Sequence, residues 1–329
     1  TPLPIAEVKN ISSNPGRFSK VNLSIQDFAA DDNSGSLSEL KKIEALYLEW
    51  ISDQKEVAET LKKNDHRVAA KINIEKAEYY LSRFKKGMAI LLDKSEKYKE
   101  IQTAFREMNH AILNQHLRFK QPTLNWDEQT GELENIGNSI DLSNDATWPI
   151  DYTVQWYPYQ IVFIVMNVVA IIDPFSEERI TTDCLWFPTG GGKTEAYLGL
   201  IGLSILFSRL TGINRGGVVV LMRYTLRLLT AQQFQRAACL ITALEHIRRM
   251  NPSDYGEIPI SIGLYVGSTF SPNTRRDALA NFNDLFNRSK KVKNNLTLLK
   301  CPWCGAQMGP VNSGGYTTLK GYRKGYVPG

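Results

Sequence analysis

Apolar residues at Leu37, Leu40, Ile43, Tyr47, Trp50 and Ile51 recur at helical intervals, which places them on one face of an α-helix. Ser36 with Glu39 three places on predicts the helix start, because such a pair satisfies two orphan N–H groups reciprocally. The same rhythm continues through "VAAKINIEKAEYYLSRFKKGMAILLDKSEKYKE" and "IQTAFREMNHAILNQHL". Residues 36–120 are therefore expected to form an all-helical domain behind an N-terminal extension over 1–35, with the charged positions as solvated outer faces. His66, His110 and His116 have no metal-ligand company and read as structural, as does His246 in a later amphipathic stretch.

The pattern then changes twice. From about 121 to 147 it gives way to Pro, Gly, Asn and acidic residues, which marks a connection. From 148 to 300 strand and helix signals alternate: "TDCLWF", "GGVVVLMR" and "IPISIGLYVG" read as strands, and "KTEAYLGLIGLSILFSRL" and "LTAQQFQRAACLITALEHIRRM" as helices. That alternation predicts an α/β domain with a mainly parallel sheet. Residues 301–329 open a cysteine-containing insertion.

Composition narrows the picture only a little. The 329 residues suit two domains, and a formal charge of +5 permits a polyanionic partner without requiring one. Two isolated cysteines and one close pair make no disulfide framework, so a cytoplasmic setting is expected. The longest apolar run, Ile161 to Ile172, is interrupted by Asn167 and is shorter than the roughly 20 residues of a membrane span, so no membrane partner is expected. The first residue is Thr and the last stretch resembles no domain end, which suggests a piece of a longer protein.

The chemistry concentrates in "FPTGGGKT". Phe187 to Thr194 fits the G-x-x-x-x-G-K-[ST] phosphate loop except at its first position, where Phe replaces Gly. Glycines allow successive N–H groups to point at phosphate oxygens, and a following helix adds its positive end. Thr189, Gly190, Gly191 and Gly192 would cradle the phosphates of ATP, Lys193 would reach the β- and γ-phosphates, and the Thr194 hydroxyl would take a coordination site of Mg²⁺. Lys193 and Thr194 are thus the candidate catalytic residues.

"PTGGGKT" resembles motif I of superfamily 2 helicases. Upstream, "YPYQ" resembles their adenine-recognition motif, with Tyr159 stacking on the base and Gln160 reading its polar edge. Downstream, "MRYTLRLLTAQQ" has the spacing of a segment that in those enzymes contacts the nucleic-acid backbone, which points to Arg223, Thr225, Arg227 and Gln232. The plainer alternative is arginines solvating a loop and a helix start. "GLYVGS" resembles a small glycine motif of the same enzymes, with Gly267 as its candidate. The resemblance implies a RecA-like fold for this domain.

Longer runs, "WYPYQIVFIVMNVVAIIDP", "LWFPTGGGKTEAYLGL", "VLMRYTLRLLTAQQFQRA" and "IGLYVG", resemble the helicase subunit of the DISARM anti-phage systems, the DrmA family. That resemblance includes the Phe at the loop's first position. It implies an ATP-dependent DNA helicase or translocase, partnered by DNA and a second DISARM core protein, with a methyltransferase and a phospholipase-D-like protein in the same system. No Asp-Glu pair closes an apolar strand after residue 200, and Asp127-Glu128 lies in polar surroundings, so the acid pair of hydrolysis is expected elsewhere. Two other classes remain open: a nucleic-acid-binding scaffold with a vestigial phosphate loop, and a phosphate-loop enzyme acting on a small molecule.

"CPWCG" places Cys301 and Cys304 at the spacing of half a tetrahedral zinc site. Three readings stay open: half of a Zn²⁺ site, a redox pair, or two free thiols. Arg275, Arg276, Arg288, Lys290, Lys291, Lys293 and Lys300 would line a DNA path or form an ordinary charged loop.

Overall fold

The computed structural model describes residues 12, 16–127, 129–134, 154–187, 190–213, 216–224, 227–266, 272, 274–287, 298–313 and 316–320. They fall into two compact units, one assembled from residues 1–113, 153–220 and 251–256, the other from 114–152, 221–250 and 257–329.

The first unit is helical: α1 Ile25–Ala29, α2 Ser34–Thr60, α3 Asn64–Leu92, most of α4 Lys99–Phe119, α5 Pro158–Met166, α6 Val168–Ile172, α7 Lys193–Leu210 and α9 Pro252–Tyr255. Leu37, Leu40, Ile43 and Ile51 of α2 are buried as their spacing requires, whereas Tyr47 and Trp50 stack on each other near the surface at 5.3 Å. The start of α2 differs from expectation. The helix begins at Ser34 behind Asn33, and Ser36 lies buried within the first turn instead of capping it.

Ion pairs Glu44–Lys85, Lys55–Glu78 and Glu59–Lys71 run down α2 as they run up α3, so the two helices form an antiparallel hairpin. These pairs are partly exposed and contribute little stability; the apolar face of Ala77, Leu81, Phe84, Met88 and Leu91 on α3 supplies the packing. α5 crosses α3 at Gly87, where an added Cβ would lie 1.9 Å from the Val165 carbonyl oxygen.

In the second unit lie the end of α4, α8 Arg227–Met250, α10 Arg275–Asn287, and the strands β1 Gly309–Ser313 and β2 Tyr316–Lys320. The strands pair antiparallel, with Gly309 opposite Lys320 and Ser313 opposite Tyr316.

The expected α/β architecture, a phosphate-loop RecA-like domain on a parallel sheet, is not what the described residues form. Among the described residues the hairpin β1–β2 is the one sheet, and it is antiparallel. The helices expected after the first two strands are present as α7 and α8, but residues 182–187, 218–224 and 259–266 form no strand. Trp186, Val218, Leu221 and Tyr265, whose apolar character argued for burial in a sheet, are largely exposed. An apolar run states a preference for burial; a strand also needs a neighbour's N–H and C=O groups, which the described residues do not supply here. Among the described residues no helix is long and apolar enough to cross a membrane.

Candidate functional site

The chain enters α5 through Tyr157, whose extended backbone (φ −70°, ψ 147°) caps the helix, with Pro158 at the first helical position. Just upstream, Ile25 N–H donates to the Val154 carbonyl and Trp156 N–H to that of Leu23, so the start of α1 fixes the approach. Trp156 is fully buried, its indole N–H donating to Asn109 Oδ1 at 2.7 Å, and Asn109 in turn donates to the Phe105 carbonyl.

This anchoring aims Tyr159 and Gln160 at the glycine turn. Gln160, 3% exposed, accepts from Tyr157 N–H through Oε1 and donates through Nε2 to the Gly192 carbonyl, each at 2.7 Å. The Tyr159 hydroxyl donates to the Gly191 carbonyl, and its ring stacks on Phe187 with centroids 3.9 Å apart. Burial, the largest influence, pushes the Tyr159 phenol up to about 12, so it keeps its proton and remains a donor at neutral pH.

Gly190 and Gly192 adopt φ of +85° and +82°, the left-handed region that favours glycine. At Gly192 the approach is close as well: a Cβ would meet Gln160 Nε2 at 2.7 Å and the Tyr157 ring at 3.3 Å. Gly190 is exposed, with open space where its Cβ would be. α7 begins at Lys193, whose ammonium donates to the Phe187 carbonyl, and the half-buried Thr194 follows in the first turn. The turn thus sits at a helix N-terminus, whose positive dipole end suits an anion.

Among the sequence candidates, the structure gathers Tyr159, Gln160, Gly191, Gly192 and Lys193 by direct hydrogen bonds, with Gly190 and Thr194 beside them. Thr189, Thr225 and Gly267 lie outside the described residues. Arg223 is exposed, Arg227 opens α8, and Gln232 is exposed on that helix; all three belong to the second unit. Arg275 and Arg276 are exposed at the start of α10, Lys300 donates to the Gln121 carbonyl at 2.7 Å, and Arg288, Lys290, Lys291 and Lys293 lie outside the described residues.

Within the second unit Cys301–Gly305 forms a tight knuckle. Gly305 N–H donates to the Cys301 carbonyl and Cys301 N–H to that of Ala306. Gly305 has φ +74°, and its missing side chain leaves room for the Pro122 carbonyl, 2.6 Å from where a Cβ would be. The Arg118 guanidinium lies 3.3 Å above the Trp303 ring and donates to the Trp303 carbonyl at 3.1 Å. The Trp303 ring also meets the His246 ring, and the Cys239 thiol reaches the Pro302 carbonyl at 3.5 Å.

Cys304 hydrogen-bonds to the Cys301 sulfur and, against the opposing pull of burial, lowers the Cys301 thiol to about 6, while the Cys304 thiol is pushed up in return. Two cysteine sulfurs at this spacing are a donor set suited to a thiophilic divalent metal. Among the described residues no third His, Cys, Asp or Glu joins it at ligand distance.

Two residues of the site escaped sequence reasoning. Arg83, on α3, and Asp183, just before the glycine turn, form a buried ion pair. A lone charge within an amphipathic helix carries no sign of a partner 100 residues away.

No family model matches the chain. It is similar to the DISARM protein DrmA of Bacillus paralicheniformis, with 31% identity over 322 residues, covering 93% of the chain and 27% of that protein. The chain thus spans about a quarter of that relative's length.

Proposed function

The chain belongs to the DrmA family of DISARM proteins, and from that premise we propose that it carries the nucleotide-binding part of an ATP-dependent DNA helicase or translocase that acts in defence against phage. The supporting observation is the clamp on the glycine turn: Tyr159 and Gln160 hold the Gly191 and Gly192 carbonyls in place, at the N-terminus of α7.

With its Gly191 and Gly192 carbonyls tied back to α5, the turn would offer backbone N–H groups and the helix N-terminus to phosphate oxygens. Lys193 exchanges the Phe187 carbonyl for phosphate, a stronger, charge-assisted partner. Thr194 Oγ1 is the side chain that would hold Mg²⁺, which when bound supplies charge neutralisation between phosphate oxygens. Gln160 acts here through the turn, since both ends of its amide are engaged by the protein.

DNA and a second DISARM core protein are the proposed partners, with Arg223, Arg227 and Gln232 as candidate backbone contacts. Phosphate contacts release counterions, so Arg223→Ala should flatten the salt dependence of DNA binding by about one unit of slope. Cys301 and Cys304 are proposed to supply two of the four ligands of a structural Zn²⁺.

The test is Lys193→Ala in the full-length protein. ATP binding, DNA-stimulated hydrolysis and protection against phage should all be lost. Survival of hydrolysis and protection together would overturn the proposal, and hydrolysis indifferent to DNA would point to a small-molecule substrate.

A further inference from the structure

Arg83 has no exposed surface, yet it carries a full charge. Its Nη1 and Nη2 donate to the two carboxylate oxygens of Asp183 at 2.6 and 2.9 Å, and its Nε faces Glu178 at 3.4 Å. Lys86, three residues on along α3, donates to the other Glu178 oxygen at 3.2 Å. Two cations and two carboxylates therefore balance in one cluster. The Asp183 hydrogen bonds, more than any other influence, raise the Arg83 pKa against the opposing effect of burial.

Such a cluster is a poor device for stability alone. Desolvating a guanidinium and a carboxylate offsets most of their attraction, and well-packed apolar side chains would hold the same helices as firmly. A planar two-bond fork does something apolar packing does not: it fixes direction as well as distance.

What the fork directs is the approach to the glycine turn. Residues 183–187 belong to no helix or strand. At the far end of this stretch Phe187 is held by the Tyr159 ring and the Lys193 ammonium. At the near end Asp183 is held by Arg83. Gly87, one helical turn beyond Arg83, seats α5 through the Val165 carbonyl. One face of α3 therefore sets both α5, whose first turn clamps the glycine carbonyls, and the segment that feeds the glycine turn.

We propose that Arg83 is a positioning residue for the glycine turn: its fork on Asp183 sets where Gly190–Lys193 presents amides and ammonium to a phosphate ligand. This deepens the nucleotide-binding proposal and, for its ligand, rests on that reading.

The experiment uses full-length protein with Arg83→Lys, which keeps the charge without the fork, and the double variant Arg83→Met/Asp183→Asn, which removes both charges. Backbone hydrogen exchange over residues 184–194 and titration with ATP and Mg²⁺ are read alongside the thermal midpoint. In both variants exchange over 184–194 should rise about tenfold or more while α2 and α4 keep their protection. ATP affinity should fall about tenfold, the scale expected of a small misplacement of binding groups. A folded variant of either kind with unchanged exchange over 184–194 overturns the positioning role. If the parent shows no ATP binding that Lys193→Ala abolishes, the nucleotide reading fails instead, and the exchange result still decides what Arg83 does.

Discussion

Gln160 and Gly192, thirty-two residues apart in the chain, are joined by a 2.7 Å hydrogen bond from the glutamine amide to the glycine carbonyl. The other end of the same amide accepts from Tyr157 N–H, so one buried side chain ties the start of α5 to the start of α7. Two helix N-termini are thereby held in fixed register by a group with no conformational freedom left to lose.

Gln160→Ala should destabilise the protein by about 1–2 kcal/mol, because two part-buried backbone groups lose their partner. Gln160→Glu keeps the acceptor for Tyr157 but turns a carboxylate oxygen toward the Gly192 carbonyl, and should be at least as damaging. Thermal unfolding of the two variants, compared with Tyr159→Phe, measures the effect; equal midpoints for parent and Gln160→Ala would show that the clamp contributes nothing.

Gly87→Ala pushes a methyl group into the Val165 carbonyl, so α3 and α5 must separate, at a cost of about 1–3 kcal/mol. Gly35→Ala, in the first turn of α2 with nothing within 4 Å of its Cβ, should instead stabilise by up to about 1 kcal/mol. Opposite signs in chemical denaturation are the expected outcome.

Glu245 on α8 accepts from the Arg248 and Arg249 side chains and from Ile260 N–H at 2.7 to 2.9 Å. Burial, the largest influence, raises its pKa, but these bonds together outweigh it and hold the carboxyl down at about 2, against an ordinary 4.5. The stabilisation is therefore complete above pH 4.5 and fades as the pH falls toward 2. Glu245→Gln should be less stable than the parent at neutral pH, and the gap should close on acidification. A gap that stays constant down to pH 2 would contradict the assignment.

Cobalt(II) added to the full-length protein should give thiolate-to-metal charge-transfer absorption that zinc displaces, and Cys301→Ser or Cys304→Ser should weaken it. Spectra identical in parent and both variants would remove these cysteines from any metal site.

Much of the first unit was legible. The burial of Leu37, Leu40, Ile43 and Ile51 follows from spacing, and α7 begins at Lys193, right after the three glycines. "CPWCG" was legible as a pair of thiols at metal-ligand spacing, while the tight knuckle closed by Gly305 at positive φ came from the structure. The cap of α2 lies three residues before the expected Ser36, at Asn33, since Ser36 found burial inside the turn instead of an exposed cap. The sheet was misread for a different reason: "VVVLM" has the composition of a strand, but composition does not provide the partner.

From the sequence alone came what depends on near neighbours: helix faces, the glycine turn, the cysteine spacing and the resemblance to the DrmA family. Tertiary structure decided what depends on distant groups. It turned the Gln160 amide onto Gly192, covered the Tyr159 ring with Phe187, matched Arg83 to Asp183 and left Trp186 and Tyr265 exposed. Local geometry is set by backbone sterics and hydrogen bonds a few residues long, which the order of residues encodes directly. A buried charge or amide states only that it needs a partner, and which one it meets is fixed when helices far apart in the chain pack together.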